Sequence, residues 1–134
     1  MQTKNFFSEN RIDFVILAAG YTGGILENKN QPKDLICKNL NIQMNVLSNS
    51  FEKNIKRTIF FASSCMYPKN SKQPICEESL MLGKPDENSL SYAVAKLAGL
   101  QMCEAYNFTI KKINFITLIP NTVFGPNDNF NPET

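Results

Sequence analysis

Phe14-Val15-Ile16-Leu17-Ala18-Ala19, closed by Gly20, is the stretch on which the fold turns. The run is short, continuous and apolar, contains β-branched residues, and does not alternate. It suits a strand covered on both faces, as in a parallel sheet. A glycine-rich loop follows, Gly20-Tyr21-Thr22-Gly23-Gly24, and then a polar stretch with Pro32. Beyond it the period changes. Ile36, Leu40, Met44, Leu47 and Phe51 recur at three- and four-residue spacing, which predicts a helix near residues 34–51 with Asp34 as its N-cap. Lys53 and Lys56 sit near its end, where cations complement the helix dipole.

The same alternation continues downstream. Thr58-Ile59-Phe60-Phe61-Ala62 is a second buried strand, stopped by Ser63-Ser64-Cys65. Residues 66–87 hold Pro68, Pro74, Gly83 and Pro85 without periodicity and read as a long surface excursion, a feature that is often functional in compact domains. Asn88 or Ser89 caps a predicted helix near 89–107, with Leu90, Val94, Leu97, Ala98, Met102 and Ala105 as its expected core face. Residues 112–119 form a third strand ended by Pro120. Strand, helix, strand, helix, strand means a parallel sheet, and right-handed crossovers make it doubly wound. Ligands of such sheets bind beyond the carboxyl ends of the strands. The segments Gly20–Gly24, Ser63–Cys65 and Pro120–Val123 all follow strand ends and are expected along one edge of the sheet.

Composition narrows the chemistry. The chain has 134 residues, 43% of them hydrophobic, and a net charge of +2, so a single globular domain is expected. That charge gives no general pull toward nucleic acid or an anionic membrane. Histidine is absent, which removes histidine triads, histidine metal sites and histidine acid-base catalysis from these residues. No apolar run approaches the roughly 20 residues of a membrane span, and MQTKNFFSENR lacks the apolar stretch of a secretory signal. Cys37, Cys65, Cys76 and Cys103 contain no CxxC spacing. Four reduced thiols in a cytoplasmic protein are expected, with neither zinc nor a disulfide framework.

Two short motifs carry the chemistry. Tyr92 and Lys96 lie four residues apart on a predicted helix and therefore on one face. An ammonium beside a phenol stabilises phenolate, so the pair is expected to lower the tyrosine pKa and let it exchange a proton with a carbonyl or alcohol. Alone, YxxxK is short and common, and a solvated surface pair is its usual meaning. Ser63, directly after a buried strand, can hydrogen-bond a substrate oxygen. Cys65 can move a proton if its pKa suits, although a polar strand end with an inert thiol is the simpler reading. A strand-end serine followed by a helical YxxxK is far more specific than either part.

That combination resembles the extended short-chain dehydrogenase/reductase superfamily. Ser63-Ser64-Cys65-Met66-Tyr67-Pro68-Lys69, Lys72-Gln73-Pro74 and Tyr92-Ala93-Val94-Ala95-Lys96-Leu97-Ala98-Gly99 are similar to the GDP-L-fucose synthase family. Leu17-Ala18-Ala19 with Gly23-Gly24-Ile25, Cys103-Glu104-Ala105-Tyr106-Asn107, and Pro120 to Pro126 with Asp128-Asn129-Phe130 extend the likeness over nearly the whole chain. The family couples 3,5-epimerisation to NADP-dependent 4-reduction of GDP-4-keto-6-deoxy-D-mannose. The resemblance implies that Tyr92 is the proton donor in reduction. Lys96 would lower its pKa and bond the nicotinamide ribose, Ser63 would position the substrate oxygen, and Cys65 would be the base in epimerisation. Phe61, Ala62, Ser63, Ser64, Lys96 and Pro120, Asn121, Thr122 and Val123 would line the cofactor. For Pro120 to Val123, an ordinary strand-ending turn is the alternative.

The departures shape the expectation as much. Gly20-Tyr21-Thr22-Gly23-Gly24 does not have the GxxGxxG spacing that holds a dinucleotide pyrophosphate at a helix N-terminus. The family's histidine, acid partner in epimerisation, has no counterpart. The expected fold is therefore α/β: a partial doubly wound, Rossmann-like parallel sheet over residues 1–134. The first βαβ unit and the C-terminal substrate lobe are expected to be missing. The resemblance implies NADP, a nucleotide-sugar substrate and, in the full-length family, a homodimer. The segment alone is expected not to turn over substrate. The alternatives are a non-catalytic remnant that binds a partner and, less well supported given Cys65, another nucleotide-sugar epimerase or dehydratase.

Overall fold

The computed structural model describes residues 2–127, so the Asp128-Asn129-Phe130 match lies outside the described residues. In chain order the elements are α1 (Gln2–Glu9), β1 (Phe14–Leu17), α2 (Ile25–Asn30), α3 (Pro32–Glu52), β2 (Arg57–Phe61), α4 (Leu90–Ile110) and β3 (Phe115–Leu118). The strands form one parallel sheet in the order β1-β2-β3. Ile16 pairs with Ile59, which in turn pairs with Ile116. Parallel pairing puts the three carboxyl ends, and the loops that follow them, on one edge, as the alternation predicts.

The core lies on one face of this sheet. Leu17, Phe60 and Phe115 point into it and pack with Leu47, Leu100 and Cys103 from α3 and α4. The opposite face differs from expectation at β1. Phe14 and Ile16 are 67% and 66% exposed, so among the described residues this run is covered on one side rather than two. The period of two sends alternate residues to opposite faces, and the described helices pack over only one of them.

Helix boundaries and faces depart from the sequence reading in instructive ways. Proline occupies the first turn of α3, which begins at Pro32 rather than at Asp34. Asp34 sits inside that first turn and pairs with Lys38 at 2.9 Å instead of capping. The buried face of α3 runs through Leu35, Asn39, Gln43, Leu47 and Ser50, while Met44 is 55% exposed. On α4 the buried positions include Ala93, Lys96, Gly99, Leu100 and Cys103; Val94 and Ala105, expected in the core, face outward. Apolar residues occur around most of α4, so periodicity does not select a face. Close approach selects it: a β-carbon at Gly99 would lie 2.6 Å from Phe60 Cζ and 2.7 Å from Gln43 Oε1. Only glycine lets α4 sit that near both β2 and α3.

Neither cap proposed for α4 uses its side chain in that way. Asp86 instead caps the short 3₁₀ turn Glu87–Ser89, its carboxylate accepting from the Asn88 N–H at 2.8 Å. At the other end Asn107 ties α4 to β3. Its amide donates to Phe115 O at 2.7 Å and accepts from the Asn114 and Phe115 N–H groups at 2.9 Å. Lys53 lies at the C-cap of α3, whereas Lys56 pairs with Asp13 at 2.7 Å. The helices α1 and α2 lie where no periodicity announced them, because each is short and mostly polar. The excursion after β2 is anchored by buried Met66 and by Leu80 against the core. Among the described residues no helix is long and apolar enough to cross a membrane.

Candidate active site

The parallel register brings Ser63, Cys65 and Lys96 to the carboxyl end of β2. Ser63 is extended and ends the strand, and its Oγ accepts the Cys65 N–H at 3.4 Å as the N-cap of the 3₁₀ turn Ser64–Met66. Helix α4 packs on this turn, with Tyr92 in its first turn and Lys96 one turn later.

Lys96 is the most unusual side chain in the fold. It is 3% exposed, and its Nζ donates to the Phe61 carbonyl at 2.8 Å. Among the described residues no carboxylate meets it. The ammonium sits 5.0 Å from the Phe60 ring centroid and 5.6 Å from that of Tyr92. Burial lowers its pKa, offset in part by the nearby Cys65 charge. An ammonium has three donors. One is used on Phe61, and no further protein hydrogen bond to Nζ is made among the described residues.

The expected downward shift of Tyr92 is not found. Burial pushes its hydroxyl up to about 12, and a charged Cys65 would push the same way. Lys96 is engaged with the strand-end carbonyl rather than with the phenol, so desolvation wins. The Cys65 thiol is also raised by burial, against the lowering effects of its hydrogen bond with Ser63 and of Lys96. Tyr92 and Cys65 thus disfavour each other's ionisation, which keeps the phenol protonated whenever the thiol is not. Ser63 and Tyr92 make no direct hydrogen bond among the described residues.

One residue here was missed at the level of sequence. Asn39, on α3, is 1% exposed and clamps the loop after β1. Its Oδ1 accepts the Tyr21 N–H at 3.0 Å, and its Nδ2 donates to the Tyr21 and Leu35 carbonyls at 2.7 Å each. The clamp draws Gly20 against Lys96: a β-carbon at Gly20 would lie 3.5 Å from Nζ and 3.3 Å from Asn39 Oδ1. A bare backbone there leaves room beside the ammonium. An asparagine on a predicted helix carries no local mark of such a role. Its only signal is a polar residue four positions after the apolar Leu35 and eight before Leu47.

Apart from Lys96 on α4, the proposed cofactor-lining residues all fall at strand ends. Ala62 is buried and its N–H bonds the Leu118 carbonyl at 2.8 Å, joining β2 and β3. Phe61, Ser63, Ser64 and Pro120 are half-buried, while Asn121, Thr122 and Val123 stand open at the end of β3. A buried ammonium with donors to spare, a glycine backbone beside it and open amide and hydroxyl groups fit the ribose and nicotinamide end of a dinucleotide.

A family model described as the NAD dependent epimerase/dehydratase family matches residues 2–134. The chain is 38% identical to GDP-L-fucose synthase of Escherichia coli (strain K12) over 129 residues, covering 96% of this chain and 40% of that protein. Among solved structures, a GDP-D-glycero-L-gluco-heptose synthase from Campylobacter jejuni, in the presence of NADPH, superposes with a TM-score of 0.90. It has 42% identity and covers 97% of this chain and 38% of that one. A GDP-L-fucose synthetase from Naegleria fowleri bound to NADP has a TM-score of 0.84 and 32% identity, covering 96% and 40%. The chain thus spans about 40% of the length of the curated relatives it matches.

Proposed function

The chain belongs to the NAD dependent epimerase/dehydratase family, and on that premise we propose that it is the catalytic core of an NADP-dependent enzyme converting GDP-4-keto-6-deoxy-D-mannose to GDP-L-fucose. The observation that carries this reading is the buried Lys96 ammonium, fixed on the Phe61 carbonyl between Tyr92 and the Gly20 backbone.

Lys96, Asn121 and Thr122 would hold NADP, which supplies the hydride when bound. Lys96 offers its remaining donors to the ribose hydroxyls. Tyr92, protonated across the neutral range, gives its proton to the ketone oxygen as that oxygen gains charge. Ser63 accepts the Cys65 N–H, and its hydroxyl, which also reaches the Cys65 thiol, turns to orient the same substrate oxygen. Cys65 would take the proton beside the ketone during epimerisation, and the enolate so formed would be reprotonated on its opposite face by an acid that these residues do not supply. Because its thiol is raised, only its deprotonated fraction serves, and epimerisation should quicken as pH rises above neutral.

The test uses the full-length protein. Tyr92→Phe should cut ketone reduction by roughly 10²–10⁴. Cys65→Ser should reduce sugar-proton exchange with solvent more than it reduces hydride transfer. Equal loss of both half-reactions in Cys65→Ser would remove the separate role of the thiol. The C. jejuni heptose synthase favours a second reading, in which the reduced sugar is a GDP-heptose. Comparing turnover of the two GDP-sugars separates them. A homodimer is also proposed, supported by the apolar outer face of α4, where Val94 and Phe108 are exposed. Sedimentation of the full-length protein checks it.

A further inference from the structure

The edge of the sheet opposite the candidate site is built from three turns. Helices α1, α3 and α4 end there, and β1, β2 and β3 begin there. The turns are joined: the Lys56 N–H donates to the Asp13 carbonyl at 3.2 Å, and the Asn114 side-chain amide donates to the Ile55 carbonyl at 3.4 Å. Arg11, Lys53, Lys56, Arg57, Lys111 and Lys112 all lie on this edge, and all are exposed. They are six of the chain's 14 cations, set against three carboxylates, Glu9, Asp13 and Glu52. The net charge of +2 therefore hides a strong local imbalance, because turns far apart in sequence share this edge.

Lys56 pairs with Asp13 at 2.7 Å, and the other five cations form no ion pair among the described residues. Dipole complementarity accounts for Lys53 and Lys111, the C-caps of α3 and α4. Arg57 opens β2 and stands clear of any helix end. Lys111 and Lys112 run directly into Ile113, which is 70% exposed. The cavities beside α4, β3 and the excursion include none of these residues, so the edge offers a surface rather than a groove. Spread cations around an exposed aliphatic side chain match an anionic bilayer. Headgroups take the ammonium and guanidinium groups, and the aliphatic group enters the layer beneath them. A nucleic acid would use the cations but leave Ile113 in water. Further strands would lengthen the sheet sideways, along the hydrogen-bonding direction, rather than cap this edge.

We propose that this amino edge is a docking surface for an anionic lipid bilayer, with Ile113 entering the headgroup layer. Docked there, the protein keeps its carboxyl edge turned toward solvent and dissolved substrate. Sedimentation of the full-length protein with vesicles tests it, using phosphatidylcholine alone and about three parts phosphatidylcholine to one of phosphatidylserine. The mixed vesicles should bind at least about tenfold more tightly. Raising salt from about 0.1 to 1 M should release the protein, as the Debye length falls from about 10 to about 3 Å. Lys111→Gln with Lys112→Gln should weaken binding about 10–30-fold, roughly fivefold per cation. Ile113→Ser should weaken it about 3–10-fold and leave the salt dependence unchanged. Lys29→Gln with Lys33→Gln removes the same charge from exposed positions on the carboxyl side and should bind as the unaltered protein does. All five positions are exposed, and unchanged melting temperatures show that the variants fold. Equal loss in the two double variants would reduce the effect to net charge and overturn the proposal. So would equal binding to both vesicles, no binding to either, or unaltered binding by Ile113→Ser. A short RNA that binds more tightly than the mixed vesicles, and is lost with Lys111→Gln and Lys112→Gln but not with Ile113→Ser, would make the edge a nucleic-acid surface instead.

Discussion

Two buried polar side chains, Asn39 on α3 and Lys96 on α4, each hold a strand-end loop, and they do so in opposite ways. Asn39 is satisfied: of its three hydrogen bonds, all to backbone, two fasten Tyr21 in the loop after β1 and one returns to Leu35 in α3. Among the described residues Lys96 makes one bond, to the end of β2, and keeps a charge with no carboxylate beside it. Burying a polar group stabilises a fold only when its hydrogen bonds are made, and an unbalanced charge costs more than an amide. The satisfied group is therefore scaffold, and the unsatisfied one is the group we propose as a ligand contact. Gln43, one turn beyond Asn39, is a third case: it is buried, and neither amide atom is hydrogen-bonded among the described residues.

Substitutions can break or sharpen this contrast. The largest effect is expected at Lys96. Lys96→Met in the full-length protein should lower reduction by roughly 10²-fold or more, while changing unfolding free energy by less than about 1 kcal/mol, because one hydrogen bond is exchanged for relief of a buried charge. The pH dependence carries the sign. The folded chain holds the Lys96 proton less tightly than the unfolded chain does, so this group's penalty is present at neutral pH and fades as pH rises toward the unfolded lysine value near 10.4. The unaltered protein should therefore gain stability relative to Lys96→Met over that rise. A large loss of stability at neutral pH would make Lys96 scaffold as well.

Next comes Asn39→Ala. It strands the Tyr21 N–H and carbonyl, and chemical denaturation should show a loss of about 2–3 kcal/mol. Cofactor affinity should fall with it, since the clamp sets Gly20 beside Lys96. A change below about 0.5 kcal/mol, the size of an ordinary surface substitution, would refute the clamp. The smallest effect is expected at Gln43→Met, which fills similar space without unpaired polar atoms and should raise stability by about 1 kcal/mol. Destabilisation of that size instead would show that Gln43 has a partner.

Much of this architecture was legible beforehand. The runs around Ile16, Phe60 and Ile116 are strands in the predicted order and direction, because a buried strand needs a local apolar run and a crossover helix needs length between runs. Tyr92 and Lys96 share a helix as their spacing requires. Less legible was which way each helix turns. Leu40, Met44, Val94 and Ala98 are as apolar as the residues that are buried, and the choice between them was made by Gly99 meeting Phe60 and Gln43.

Spacing along the chain therefore determined the three strands, the two long helices and their parallel order, and it singled out Ser63, Tyr92 and Lys96, with Cys65, as candidates. These depend on periods of two and 3.6 residues and on motifs a few residues long. Tertiary structure alone decided the helix faces, the Asn39 clamp and the upward shift of Tyr92. Each depends on which distant segment arrives. Asn39 meets Tyr21 across 18 residues of sequence, and Lys96 meets Phe61 across 35. Tyr92 is governed by desolvation, a sum over neighbours from several elements that no local pattern contains.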